Sequence, residues 1–119
     1  LLAEDNDINA EIVMDMLKSS NIKCIRTKNG QDAVKAEKRH DFDVILMDCQ
    51  MPIMDGHTAS KLIRSEGRNK DTVRIIALTA NAFIEDKNAC LEAGMNAHLS
   101  KPIRKQVLFD CIARELARV

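Results

Sequence analysis

The chain is predicted to fold as a doubly wound α/β domain, on three observations. Short apolar runs alternate with helical periods five times, the third run is almost continuously apolar, and each strand-like run after the second ends close to a polar or ionisable residue. Strict strand–helix alternation requires a parallel sheet with right-handed crossovers and helices on both faces. A strand covered on both faces reads as unbroken apolar sequence. At 119 residues the chain holds one such domain, since a single core commonly spans ~100–150 residues.

Leu1 to Glu4 reads as the first strand. Ile8, Ile12, Val13, Met16 and Leu17 form an apolar stripe at helical spacing and predict a helix of about three turns. Ile22 to Arg26 is the second strand, and Asn29-Gly30 opens a polar second helix through Ala33, Val34 and Ala36 that ends near His40. Phe42 to Met47 is the central strand, ending on Asp48. Ala59, Leu62 and Ile63 mark the third helix, and Arg64 to Asp71 reads as a loop. Val73 to Leu78 is the fourth strand; Phe83, Ile84, Cys90 and Leu91, closed by Gly94, give the fourth helix. Ala97 to Leu99 is the fifth strand, and Ile103, Val107, Leu108, Cys111, Ile112 and Leu116 form the last helical stripe. The five βα units predict strand order 2-1-3-4-5, in which ligands bind beyond the carboxyl ends of the strands, between strands one and three.

Composition narrows the function. Eighteen Lys and Arg against eighteen Asp and Glu give a net charge of zero, so no global basic field exists to hold nucleic acid or an anionic membrane. The basic group of Arg64, Arg68, Lys70 and Arg74 surrounds a loop and is expected to be solvated surface. With no C-x-x-C pair and no sequence cluster of Cys with His, a zinc site or thioredoxin-like motif is not indicated. The four cysteines are expected as reduced thiols in a cytoplasmic domain, Cys49 among them as an inert or packed thiol, and His40 and His57 as solvated side chains. Leu1-Leu2-Ala3 begins inside the first strand without an initiator Met. The chain is therefore expected to be one domain, residues 1–119, cut from a larger protein that is free to be membrane-anchored.

The strand ends carry the chemistry. Strand one ends in Glu4-Asp5, strand three in Asp48, strand four in Thr79 and strand five in Ser100-Lys101-Pro102. Carboxylates converging at ~5 Å in an effective dielectric of ~20 repel by ~3 kcal/mol per pair. Either a cation occupies the cluster or a carboxylate takes up a proton. Oxygen-only ligands with open positions suit Mg2+. Lys101 and Thr79 stand across the crevice as a positive charge and a hydroxyl donor, so a dianion fits between them and the metal. Phosphoryl transfer asks for positioning and positive charge, and a strand-end aspartate can serve as nucleophile. Asp48, ahead of a loop with Pro52 and Gly56, is the best placed.

The segments Ala3-Glu4-Asp5-Asn6, Ile45 to Gly56, Ala77-Leu78-Thr79-Ala80 and Ser100-Lys101-Pro102-Ile103 together resemble the receiver domains of two-component response regulators, over the whole chain and in order. The spelling Asp48-Cys49-Gln50-Met51-Pro52, with a second Met before Asp55-Gly56, looks most like receivers attached to hybrid sensor histidine kinases. The resemblance implies a flavodoxin-like (βα)5 fold and a phosphorelay role in which Asp48 takes a phosphoryl group from phosphohistidine and the domain switches or relays it. Asp48 matches the phosphoacceptor. Asp5 would bind Mg2+ directly, Glu4 directly or through a water, and the backbone carbonyl of Gln50 would complete the protein ligands, with Asp48 itself. Thr79 would donate to a phosphoryl oxygen and reorient as a switch, Lys101 would pair with the phosphoryl group, and the Lys101-Pro102 bond would be cis. His98 stands where receivers commonly place an aromatic switch residue and would be the switch partner of Thr79, and Gln50 and Asn81 stand at positions that influence phosphoryl lifetime in the family. Implied partners are the phosphohistidine-bearing dimerisation domain of a kinase and, in a relay, a histidine phosphotransfer domain, docking over Phe83 to Leu91 and Ile103 to Val119. The domain itself would contact neither nucleic acid nor membrane.

Two other classes compete. An aspartate-nucleophile phosphatase of the HAD-like type also pairs a strand-end Asp with Mg2+, but usually carries Asp-x-Asp with the second acid in proton transfer, and here that position is Gln50. A docking module without phosphorylation would have lost an acid, the Thr or the Lys, and none is missing. Whether the domain counts as an enzyme depends on usage, since a receiver catalyses its own phosphorylation and dephosphorylation.

Overall fold

The computed structural model describes residues 1–80 and 84–117, with only the helical backbone given for 84–86. Five strands, β1 (Leu2–Ala3), β2 (Arg26–Thr27), β3 (Val44–Asp48), β4 (Arg74–Thr79) and β5 (Ala97–Ser100), form one parallel sheet in the order β2-β1-β3-β4-β5. Helices α1 (Asp7–Lys18), α2 (Gly30–Arg39), α3 (Gly56–Glu66), α4 (Ile84–Glu92) and α5 (Lys105–Leu116) complete five βα units. The period-two alternation of the central strands sorts their side chains into two cores. Ile45, Met47, Ile75 and Ala77 pack with Ala33, Val34, Ala59, Ile63 and Cys90 on one face. Leu46, Ile76 and Leu78 pack with Ala10, Val13, Leu17, Leu108 and Cys111 on the other. Helices thus cover both faces, as the continuous apolar β3 requires.

Helix starts are written locally. Asn6, Asn29 and Asp55 sit in extended conformation and accept with their side chains from the backbone N–H of Asn9, Asp32 and Thr58, which satisfies an orphan donor of each first turn. At the other end, Gly94 follows α4 at φ +91°, a left-handed conformation that glycine adopts without a Cβ penalty.

The structure corrects several expectations. The second strand is Arg26–Thr27 rather than Ile22 to Arg26; β2 is an edge strand paired with β1 alone, Ile25 O and Thr27 O accept from Leu2 and Glu4 N–H, and Ile22 and Ile25 are exposed. In α1 the buried face is Ala10, Val13 and Leu17, whereas Ile8 and Ile12 are 70% and 49% exposed. Small Ala10 meets the sheet, and Ile8 lies in the first turn, beside the cleft-lining Asn6 and Asn9 at the sheet's carboxyl edge. In α5 the buried face is Leu108, Cys111 and Glu115, with Val107 and Leu116 exposed; Glu115 meets Arg74 Nη2 at 2.9 Å. Leu91 of α4 is exposed and Cys90 buried. Arg64, Ser65 and Glu66 are the end of α3, not loop.

Of the basic residues around that loop, Arg68 and Lys70 are exposed as expected, whereas Arg64 and Arg74 are half-buried. Arg64 donates to the carbonyls of Gly94 (2.8 Å) and Lys70 (2.9 Å) and to Asn96 Oδ1 (2.7 Å), tying α3 to the approach to β5. Arg68 pairs with Asp41 at 2.7 Å. Glu37, wholly buried in α2, accepts from the backbone N–H of Arg68 at 2.7 Å and of Asn69 at 2.9 Å and so organises the α3–β4 connection. Its removal leaves two amides short of their acceptors, each a loss of ~1–3 kcal/mol when buried. Glu37→Ala should lower unfolding free energy by about 2–4 kcal/mol in urea titration at unchanged m. Glu37→Gln, which keeps one acceptor oxygen, should lose roughly half as much.

Candidate functional site

The parallel pairing brings the carboxyl ends of all five strands to one edge of the sheet, where the charge cluster forms. Glu4 follows β1 and Asp48 ends β3, and the register pairs Ala3 with Met47, so the two acids emerge side by side. Both are buried, at 2% and 4% exposure. β4 ends on Thr79, also buried, and β5 on Ser100, its register partner; Lys101 N–H then donates to Thr79 O at 2.8 Å and fixes the lysine's backbone beside the threonine. The Lys101–Pro102 bond is cis.

From that anchor the Lys101 ammonium reaches back over the sheet to Asp48 Oδ2 at 2.8 Å and Glu4 Oε2 at 3.2 Å. The remaining oxygens have backbone partners: Gln50 N–H donates to Asp48 Oδ1 at 3.1 Å, and Asn6 N–H donates to Glu4 Oε1 at 3.2 Å. Burial pushes the Glu4 carboxyl above the ordinary carboxylate range and the neighbouring Asp48 adds to the rise, while Lys101 opposes it. For Lys101, burial favours the neutral amine, but its bonds to Asp48 and Glu4 outweigh that and hold the ammonium above the usual lysine range.

Asp5 is exposed and turns a third carboxylate toward the same point; one oxygen from each of Glu4, Asp5 and Asp48 lies within 4.8 Å of the others. The donor set is hard oxygen only, with one exposed ligand and an open cleft before it, which fits a small divalent cation that retains waters. The cleft has a volume of about 590 Å³. Among its lining residues are Glu4, Asp5, Asp48, Gln50, Thr79 and Lys101, the predicted site residues save His98, Pro102 and Asn81. His98 is half-buried on β5 and lines a different hollow with Pro102, Ile103 and Val107. Asn81 lies outside the described residues.

Four contributions were not anticipated. Arg26 donates through Nε and Nη2 to Glu4 O at 3.0 and 2.7 Å and pairs with Asp7 at 2.8 Å, locking the backbone from which Glu4 and Asp5 project. Its place at the end of β2, next to β1, was the available signal. Gly56 N–H donates to Cys49 O at 3.1 Å, and a Cβ at Gly56 would stand 2.2 Å from Asp48 O, so only glycine lets α3 start this close to the end of β3. Ile53, in the same loop, is held at φ +69° and is 77% exposed. His57, expected to be solvated, is half-buried and lines the cleft.

The response regulator receiver domain family matches residues 1–113. The chain belongs to that family. As a receiver domain it is 44% identical over 118 residues to the hybrid signal transduction histidine kinase M of Dictyostelium discoideum, covering 96% of this chain but 5% of the kinase. Among solved structures, the receiver domain of a sensor histidine kinase from Pseudomonas aeruginosa, with magnesium coordinated in its active-site cleft, shares 40% identity at a TM-score of 0.90, covering 98% of this chain and 94% of that one. A Saccharomyces cerevisiae complex, of a histidine phosphotransfer protein with the receiver domain of its downstream response regulator, matches at 34% identity and a TM-score of 0.89, over 98% of this chain and 86% of that one. The fold neighbours share the flavodoxin-like receiver architecture seen here.

Within this receiver domain, Lys101 is the counter-charge for two buried acids. Removing one partner of a buried ion pair typically costs ~3–5 kcal/mol, less where solvent reaches the pair, as it reaches Lys101 here. Lys101→Met should therefore destabilise the metal-free protein by about 2–4 kcal/mol. Adding Asp48→Asn to Lys101→Met should recover much of that, because it removes the repulsion the lysine had screened. A denaturant double-mutant cycle in the presence of a chelator measures both effects.

Proposed function

We propose that Asp48 accepts a phosphoryl group from a phosphohistidine and that the domain then switches or relays it. The observation that carries this is the convergence of three carboxylates, a buried threonine and a lysine at the ends of four strands, with the Lys101 ammonium 2.8 Å from Asp48 and 3.2 Å from Glu4. An Asp48 oxygen attacks phosphorus in line, the P–N bond breaks, and the imidazole departs with its electron pair. Gln50 N–H, already on Asp48 Oδ1, orients the nucleophile. Lys101, on a flexible stem, follows the negative charge from carboxylate to phosphoryl oxygens, and the Thr79 hydroxyl donates to one of them.

Glu4, Asp5, Asp48 and the backbone carbonyl of Gln50 would hold Mg2+, which supplies neutralising charge for the transferred group. The magnesium of the Pseudomonas receiver supports that assignment, as does the oxygen-only donor set. Three carboxyl groups, Glu4, Asp5 and Asp48, face the single ammonium of Lys101, an imbalance that favours a cation there.

The donor is the phosphohistidine domain of a kinase, and in a relay the next acceptor is a histidine phosphotransfer domain, the partner class seen with the yeast receiver. Exposed Ile8, Ile12 and Ile53 lie on the segments that follow β1 and β3 and offer apolar contact to a domain covering the cleft. Output passes through α4, β5 and α5, where Leu91 and Val107 are exposed, by way of Thr79 and His98; part of that surface lies outside the described residues. The parent would be a hybrid histidine kinase acting in the cytoplasm, with residues 1–119 as one receiver unit. Among the described residues no helix is long and apolar enough to cross a membrane.

Intact-protein mass after incubation with Mg2+ and acetyl phosphate should show one phosphoryl adduct that is absent without Mg2+ and absent in Asp48→Asn. An adduct that persists in Asp48→Asn would move the acceptor elsewhere. Mg2+ should also raise the thermal midpoint by several degrees at concentrations well above its Kd, since it binds the folded state alone. Asp5→Asn should erase that shift, and an unshifted wild-type midpoint would count against the metal site.

A further inference from the structure

Beside the oxygen cluster lies a second group of donors of a different chemical kind. Cys49, the residue after Asp48, places its Sγ 3.8 Å from Sγ of Cys90 on α4. Cys90 Sγ is in turn 3.6 Å from Nε2 of His57 in the first turn of α3. The three atoms all lie within 4.8 Å of one another. None of the three residues is close in sequence to both others, so only the tertiary fold brings them together.

These separations have a specific geometric meaning. Around a zinc ion with Zn–S of ~2.3 Å and Zn–N of ~2.05 Å, tetrahedral angles place two sulfurs about 3.8 Å apart and a sulfur and a nitrogen about 3.6 Å apart. Two edges of the observed triangle already have these lengths. The remaining Cys49–His57 edge is no longer than 4.8 Å. Thiolate and imidazole donors favour zinc-like cations and disfavour Mg2+, so the two clusters select different ions by ligand softness.

We propose that Cys49, His57 and Cys90 form a binding site for a borderline-soft divalent cation of the Zn2+ type, separate from the oxygen site at Glu4, Asp5 and Asp48. Each thiol releases its proton to solvent as it ligates the ion, and three protein ligands leave the fourth corner to water. Access is available from the cleft, which Cys49 and His57 both line, while Cys90 is buried at the back. The bound ion would join three segments: the residue after Asp48, the start of α3, and α4. It would therefore tie the connection that leaves β3 at Asp48 to α4.

The test is titration of the reduced 119-residue chain with Co2+ in excess Mg2+, which occupies the oxygen site. The expected result is one equivalent of cobalt with tetrahedral d–d bands and a thiolate-to-cobalt charge-transfer band, displaced by Zn2+. The charge-transfer spectrum should be lost in Cys49→Ser and in Cys90→Ser, its tetrahedral intensity should collapse in His57→Gln, and Cys24→Ser should leave it unchanged. Cys90 is buried, so Cys49→Ser and His57→Gln at half-buried positions keep the test intact if Cys90→Ser does not fold. A cobalt spectrum without thiolate charge transfer, or one abolished by Asp5→Asn and indifferent to Cys49→Ser, would overturn the proposal. So would a chain whose Cys49 and Cys90 lose two hydrogens to peroxide yet never produce the cobalt spectrum, which assigns the pair to thiol oxidation instead.

Discussion

Two carboxylates buried at the carboxyl edge of a parallel sheet, with one ammonium group between them, set the terms for the rest of this molecule. Glu4 and Asp48 leave water almost completely, and Lys101 is the side chain that bonds both. At ~5 Å and an effective dielectric of ~20 the acids alone repel by ~3 kcal/mol, a sizeable share of a small domain's ~5–15 kcal/mol. The placement of β5 next to β4 and the backbone bond of Lys101 to Thr79 O are therefore what let the acids be buried together. The same arrangement prepares the site for phosphoryl transfer. In the proposed reaction, a lysine held by two acids would exchange one of them for a phosphoryl oxygen without leaving its place.

Much of the remaining polar structure keeps the strand ends where that exchange needs them. Arg26 holds the carbonyl of Glu4, Gly56 lets α3 begin against Asp48, and Gln50 N–H orients the Asp48 carboxylate. Farther out, Glu37 organises the α3–β4 connection and Arg64 ties α3 to the start of β5 through Gly94 and Asn96. Each uses one charged side chain to satisfy two or three backbone or amide groups, so the connections are ordered by long-range hydrogen bonds rather than by local turn chemistry. The three capped helix starts, at Asn6, Asn29 and Asp55, lie at the functional edge because every βα connection in a parallel sheet does.

Hard and soft donors share the cleft without mixing. The oxygen cluster comes from the ends of β1 and β3, while the sulfur–nitrogen cluster comes from the β3–α3 connection, α3 and α4. Asp48 and Cys49 are consecutive residues, so the backbone at this point sends one side chain to each group. Whatever engages Cys49 acts one peptide away from the proposed acceptor.

By itself the sequence determined the fold class, the strand order, the start of α2 at Asn29, the end of α4 at Gly94 and the set of residues at the strand ends, because those depend on periodicity, turn chemistry and the rule that parallel sheets bind at their carboxyl edge. It could not determine which face of α1 or α5 is buried. Periodicity locates an amphipathic helix, but the phase is decided by what the sheet offers: it accepted Ala10 over Ile8, and Glu115 because Arg74 waits beneath it. Edge strand β2 was misplaced for a related reason, since with one neighbour its extent depends on pairing and not on burial. Arg64 read as a solvated charge in sequence, and Glu37 and Arg26 drew no bonding role there, because the partners in these bonds lie 22 to 32 residues away. The Cys49–His57–Cys90 triangle was invisible for the same reason. Local pattern specifies what each segment can be, whereas long-range contacts alone decide which charges, thiols and amides meet.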